Sequence, residues 1–413
     1  MIKSLDTLGV QAYIDSCAGT PLLHFQKDGE PFTVDMVFAY GAYHERKNAS
    51  AHFLEHLLLC GGEAYANKKL LADAFESRGC SFGASTGYFN LHVRELNNSG
   101  ADLAFAAMAL EDAILHAKMS PASIDAERNI ILAEAEKTGK EKQRVCGNLF
   151  LETLFPDTRL ATDVKGLSGD IQAIDRADLV QEHGALLRAE RALITSGDFH
   201  IDHVKAVFQP FLDRMAAPDV GGQSQNHVSL RTGSFSLATP LGISGVGIFF
   251  GRTMHGNKRK TAIHMFLNNL LFNKGGLLME KLRYENPLVY SVLDYSMATA
   301  VADYFGVFAE APREKVVVVR DALVRAMTED LFSCLKEEEV SGYIRSSRSR
   351  ERRRYRTTDA LIDRYARDFL DFGQDMAWHD DIVALLEQIP IKEIVAEARE
   401  VFASDNQTLV VLS

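Results

Sequence analysis

The sequence predicts an α+β protein built from two homologous domains, and three observations carry that prediction. Short β-rich runs broken by turn residues alternate along the chain with amphipathic stretches of helical spacing. Near the middle, the polar, glycine-containing stretch Ala216-Ala217-Pro218-Asp219-Val220-Gly221-Gly222-Gln223-Ser224-Gln225-Asn226 is poor in bulky residues and reads as a linker. Beyond it the sequence echoes its own start. Phe53-Leu54-Glu55-His56-Leu57-Leu58 aligns with Phe266-Leu267-Asn268-Asn269-Leu270-Leu271, Gly61-Gly62 with Gly275-Gly276, and Tyr88-Phe89 with Tyr304-Phe305. The offsets run from 213 to 216 residues, close to half the chain, and a duplicated domain explains them better than chance. Domains are therefore expected at 1–215 and 228–413, joined by 216–227.

The 413 residues suffice for two or three domains, each burying its own core. An apolar content of 46% and a charged content of 24% are ordinary for a soluble globular chain. The net charge of −11 argues against nucleic-acid binding. Cys17, Cys60, Cys80, Cys146 and Cys334 are odd in number and lack a C-x-x-C pair, so they read as reduced intracellular thiols. Met1 to Asp6 lacks a long apolar core, and no run approaches the roughly 18 residues of a membrane helix. The expectation is a soluble cytoplasmic protein with no membrane partner.

Taken in order, Val10 to Tyr43 reads as strands, with a turn at Lys27-Asp28-Gly29-Glu30. Polar residues from Tyr43 to Asn48 lead into Ser50-Ala51-His52-Phe53-Leu54-Glu55-His56-Leu57-Leu58-Leu59. On a helix, His52 and His56 stand at i and i+4 on one face, a turn apart. Two imidazole nitrogens then come near the roughly 2.0–2.1 Å reach of one zinc ion. Glu55 lies beside them, placed to hold a water. The alternative is a core helix with two satisfied histidines. The His-x-x-Glu-His order inverts the usual zinc-protease motif and is the inverzincin signature. Gly61-Gly62 ends the helix. His44 is a possible extra ligand, set against the reading of an exposed loop histidine.

Lys68 to Arg78 reads as a helix stopped at Gly79. Ser81 to Val93 reads as one strand whose small residues admit close backbone approach. Either it is an exposed edge able to accept an extended peptide, or an ordinary internal strand. Ala101 to Lys118 forms an amphipathic helix, and Ser120-Pro121 opens the next with an N-cap and a proline at its first position. That helix carries Glu127 and Glu134, two turns apart on a shared face. A catalytic zinc takes three protein ligands and an open position, so a carboxylate from a second helix would complete the set.

His52-x-x-Glu55-His56, followed 78 residues later by Glu134 within Glu-Arg-Asn-Ile-Ile-Leu-Ala-Glu, closely resembles the pitrilysin family of zinc peptidases. This group includes insulin-degrading enzyme and the mitochondrial processing peptidases. The resemblance continues through Phe155-Pro156-Asp157, Lys165-Gly166-Leu167, Asp178-Leu179-Val180 and Ser196-Gly197-Asp198. It implies zinc ligands at His52, His56 and Glu134, Glu55 as general base, and Glu127 orienting a zinc-binding histidine. It also implies that each domain is a largely antiparallel sheet packed with helices, the two together forming half of a clam-shell chamber. Where family members carry Asn-Ala in the edge strand, this chain has Phe82-Gly83-Ala84.

In the second half the echoed motif holds Asn268 and Asn269, with Met265 in place of His52, so only the first half can bind zinc in this way. Leu282-Arg283-Tyr284 and Tyr290 resemble the family's Arg…Tyr element. That implies an Arg283 grip on substrate backbone and a Tyr290 hydrogen bond to the developing oxyanion. Arg345 to Arg356 is a basic run, either a solvated helix face or a wall that attracts acidic peptides. Lys392 to Phe402 reads as a helix, and Thr408 to Leu412 as a closing strand. The functional expectation is a zinc-dependent endopeptidase that hydrolyses short or unfolded peptides inside a chamber closed by two chains. A homodimer is the simplest assembly and a heterodimer with a related subunit the second. A non-catalytic scaffold subunit is the competing class.

Overall fold

The computed structural model describes residues 2–5, 10–98, 102–219, 227–239, 241–253, 256–272, 275–299, 301–354, 357–372 and 382–413. The chain divides into two units. The first comprises Met1–Thr138, Thr162–Ser224 and Arg352–Met376, and the second Gly139–Ala161, Gln225–Glu351 and Ala377–Ser413. The change of unit at Ser224 falls within the expected linker, most of which (220–226) lies outside the described residues. Two segments cross that boundary. The helix Thr358–Phe372 shows why: Leu361, Ile362, Tyr365 and Phe369 are all buried, with Tyr365 against Phe25 at 5.1 Å between ring centroids. Amphipathic spacing says that such a helix needs an apolar surface, not which one.

The first unit holds a seven-stranded sheet of β1 (Ile2–Leu5), β2 (Val10–Cys17), β3 (Thr20–Gln26), β4 (Phe32–Phe38), β5 (Ser81–Thr86), β6 (Leu91–Asn98) and β7 (Arg191–Gly197). Its order is β1-β2-β3-β7-β4-β6-β5, antiparallel except for the β3–β7 pair. Every residue of β4 and β7, two inner strands of the sheet, is buried, the polar Asp35 and Arg191 included. Four helices follow the central strand or its hairpin: α1 (Ser50–Leu58), α2 (Lys68–Glu76), α3 (Leu103–Leu115) and α4 (Pro121–Thr138).

The stretch 81–93 is not one strand. It is β5, a turn, and the start of β6; the Gly87 N–H donates to the Asn90 carbonyl at 2.8 Å. The close approach foreseen for its small residues occurs at the turn, where a Cβ on Gly41 would stand 2.4 Å from the Gly87 carbonyl oxygen. β5 ends the sheet, so the edge reading is the one observed.

The second unit's sheet is built from β8 (Gly233–Leu237), β9 (Gly245–Gly251), β10 (Ser291–Asp294), β11 (Met297–Ala298), β12 (Asp303–Glu310) and β13 (Gln407–Leu412). Its order β8-β13-β9-β12-β10 repeats β3-β7-β4-β6-β5 of the first sheet. Each has its parallel pair at the same place, β8–β13 and β3–β7. The echoed segments Phe53–Leu58 and Phe266–Leu271 both lie on the helix that follows the central strand. The Tyr-Phe echo is looser, since Tyr88-Phe89 sits in the turn before β6 and Tyr304-Phe305 inside β12. Among the described residues, no helix is long and apolar enough to cross a membrane.

Packing also sets a pH limit on the first unit. His24, on β3, is fully buried; its Nε2 lies 2.7 Å from the Phe199 carbonyl oxygen and its Nδ1 2.9 Å from Thr195 Oγ1. The carbonyl only accepts, so Nε2 carries a proton, and burial keeps the ring neutral at pH 7. Burial lowers its pKa from 6.5 to about 4. The unfolded chain therefore binds the extra proton first, and His24's contribution, complete above pH 6.5, is lost as pH falls toward about 4. The loss is roughly 3 kcal/mol at the acid end. Thermal unfolding of metal-free protein at pH 7 and pH 5 should show a smaller drop for His24→Gln than for wild type.

Candidate metal centre

The motif helix begins without help from its own N-cap, Ala49, whose φ is 69°. Buried Glu45 caps it instead, accepting the Ala49 N–H at 3.0 Å and the Ala51 N–H at 2.9 Å. A carboxylate on these free amides also suits the positive end of the helix dipole. Gly166, at φ +71°, packs against the same corner, where a Cβ would stand 2.4 Å from that of Ala49.

On this helix His52 and His56 present their rings to one side, with centroids 4.9 Å apart. Helix α4 crosses beside it and brings Glu134 Oε2 to 3.6 Å from His52 Nε2 and 3.5 Å from His56 Nε2. These three residues form the one group among the described residues whose ligand atoms converge this way, all within 4.8 Å of one another. Tetrahedral ligands at 2.0–2.1 Å from a zinc ion are roughly 3.4 Å apart. The donor set of two imidazoles and a carboxylate therefore fits zinc both chemically and by spacing.

Glu127, seven residues before Glu134 on α4, is 3% exposed and accepts from His56 Nδ1 at 2.9 Å. With Nδ1 donating, Nε2 carries the lone pair and faces Glu134. Lys68 donates to the other oxygen of Glu127 at 2.9 Å. Burial opposes charge on Glu127, but the bonds from His56 and Lys68 outweigh it and bring the pKa down to about 2. Glu134 is likewise held below the ordinary carboxylate range: burial opposes, and the Lys165 ammonium on its Oε1 prevails with the histidines' help. Glu55 goes the other way. Burial raises its pKa, only partly offset by His56 and by the neighbouring Thr86 hydroxyl at the end of β5.

Three partners escaped the sequence reading: Glu45, Lys68 and Lys165. Lys68 and Lys165 act across the fold, where no local spacing announces them, although Lys165 stands in one of the stretches that carried the family resemblance; Glu45 is local, four and six residues before the amides it accepts. His44 does not join the metal group. It is half-buried, its Nδ1 accepts the Gly41 N–H at 3.2 Å, it stacks on Tyr40, and burial lowers its pKa to about 4. It is not an exposed loop histidine either.

Residues 26–166 match the family described as insulinase, peptidase family M16. The chain carries an M16 domain. Over 388 residues it is 20% identical to an uncharacterized zinc protease of Rickettsia bellii, covering 92% of this chain and 91% of that one. A protease from Helicobacter pylori shares its fold with a TM-score of 0.84 at 15% identity, over 97% of this chain and 99% of that one. A peptidase M16 inactive domain from Pseudomonas fluorescens does so with a TM-score of 0.83 at 15% identity, over 98% of each chain.

In the second unit the echoed positions hold amides engaged elsewhere. Asn269 Oδ1 accepts from Arg350 at 2.6 Å, and Asn268 donates to Asp294 at 3.2 Å. Arg283 and Tyr290 do come together: the guanidinium donates to the Tyr290 carbonyl at 3.1 Å, and Tyr290 is 63% exposed. Of the basic run, Arg345, Arg348 and Arg350 are exposed on the helix Glu337–Arg354, Arg348 paired with Glu387 at 2.5 Å; Tyr355 and Arg356 lie outside the described residues.

Proposed function

We propose that this chain is a zinc-dependent endopeptidase acting on short or unfolded peptides. The observation that carries this reading is the convergence of Glu134 Oε2 on the Nε2 atoms of His52 and His56, with Glu127 behind His56. His52, His56 and Glu134 would hold the metal. Bound there, zinc supplies Lewis acidity toward a scissile carbonyl and acidifies water.

The remaining work falls to the chain's own groups. Glu55, its proton affinity raised by burial, takes the proton of the attacking water and passes it to the leaving amine nitrogen. Glu127 holds the His56 ring in the one tautomer that leaves Nε2 free to bind. The open edge of β5, whose Thr86 lies beside Glu55, suits an extended peptide added as a further strand. All five cysteines are free, which agrees with a reducing compartment such as the cytoplasm.

Arg283 and Tyr290 are proposed to act in trans, gripping substrate backbone and donating to the oxyanion in a second copy's site. Exposure of Tyr290 supports this role. Glu55→Gln and Tyr290→Phe proteins, each inactive alone, should then recover part of the wild-type cleavage of a quenched fluorogenic peptide when mixed. Recovery absent at every mixing ratio would contradict the shared site.

A further inference from the structure

The hairpin fixes which groups of β5 face outward. With Gly87 and Asn90 as the hydrogen-bonded closing pair, bonded pairs recur at every second position: Ser85/His92, Gly83/Arg94 and Ser81/Leu96. The N–H and C=O groups of Phe82, Ala84 and Thr86 therefore point to the free edge. Pleating separates the two faces of the strand. Thr86, next to Glu55, lies on one face, while Gly83 lies on the other, in register with Arg94 of β6 and, through it, Asp35 of β4. A peptide paired along this edge sends alternate side chains over the Gly83 face.

That face carries a cleft of about 330 Å³, lined by Gly83, Ser85, His92, Arg94 and Asp363 among others. A Cβ on Gly83 would meet nothing within 4 Å, so the missing side chain leaves the cleft open to the edge. Its wall is charged. Arg94 Nη2 lies 2.6 Å from Asp35 Oδ2 and 2.7 Å from Asp363 Oδ1. His92 Nδ1 lies 2.9 Å from the same Asp35 oxygen. Asp35 is fully buried, and its Oδ1 has no hydrogen-bond partner among the described residues. Asp363, brought to the cleft by the helix Thr358–Phe372, keeps its carboxylate 60% exposed at the mouth. Two carboxylates thus face one guanidinium and one imidazole, and the exposed carboxylate, Asp363, lies where an incoming side chain would enter.

We propose that this cleft is a specificity pocket for a lysine or arginine side chain of an extended peptide bound along β5. The proposal rests on the peptidase reading for turnover, but its binding step can be measured separately. Quenched peptides differing only by Lys, Arg, Ala or Glu at a scanned position should show kcat/KM about fivefold higher for Lys and Arg than for Glu at one position. Asp363→Asn should flatten that preference and Asp363→Lys reverse it. Gly83→Val should lower the Lys-to-Ala ratio by filling the entrance, with melting curves confirming folded variants. The same series is read as anisotropy of labelled peptides on Glu55→Gln protein. A Lys-over-Glu binding preference that depends on Asp363, without any cleavage by wild type, keeps the pocket and removes the peptidase reading. No basic preference in either assay, or one that Asp363→Asn and Gly83→Val leave intact, overturns the pocket.

Discussion

Replacing Glu55 by glutamine is expected to lower peptide turnover by about 10²–10⁴-fold while zinc stays bound. The substitution keeps size and polarity but removes the base. Glu55 makes none of the three converging contacts, which belong to His52, His56 and Glu134, so the metal should remain. Its environment suits this work: burial raises its pKa, while His56 limits the rise. A carboxylate so placed can both take a proton and give it back. Single-turnover cleavage with zinc content measured on the same sample checks the prediction. Parallel loss of metal and activity would assign Glu55 a structural role instead.

The second large effect is expected at Glu127. Glu127→Gln should weaken zinc binding about 10- to 100-fold, as loss of the partner behind a metal-binding histidine generally does. The carboxylate only accepts and so fixes Nδ1 as the His56 donor at 2.9 Å, whereas an amide can present either its oxygen or its NH₂ group. The variant also leaves the Lys68 ammonium, 2.9 Å away, beside a neutral group. With a pKa near 2, Glu127 stays charged at any working pH, so its effect should be pH-independent above about pH 4. Zinc competition against a chromogenic chelator measures it, and His56→Ala gives the limit of a lost ligand.

What could be read in the sequence follows the range of each interaction. The two histidines and Glu55 are local, a turn apart on one helix, and their geometry follows from helical period alone. Glu134 required the family resemblance, because the crossing of α1 and α4 is a tertiary fact that no spacing encodes. Lys165 on Glu134 stayed invisible for the same reason, whereas Glu45 caps the motif helix from only four residues away and so lay within local reach. The repeat was legible because Phe53–Leu58 and Phe266–Leu271 kept their apolar pattern, and the two sheets repeat the same strand order around those helices. The hairpin at Gly87 was misread. Thr86-Gly87-Tyr88-Phe89-Asn90 places two aromatic residues in the turn, so β-favouring composition ran on where the chain reverses. The helix Thr358–Phe372 shows the limit most clearly, since its amphipathic pattern is local but its place on the first unit's sheet is not.

The most direct test of the central claim measures zinc per chain and cleavage of an unstructured quenched peptide on one preparation of wild-type protein, before and after chelation. The account predicts one zinc per chain, turnover that disappears with the metal, and recovery of both on adding zinc back. Absence of bound zinc in protein refolded and equilibrated with the ion, or cleavage indifferent to its removal, would contradict it.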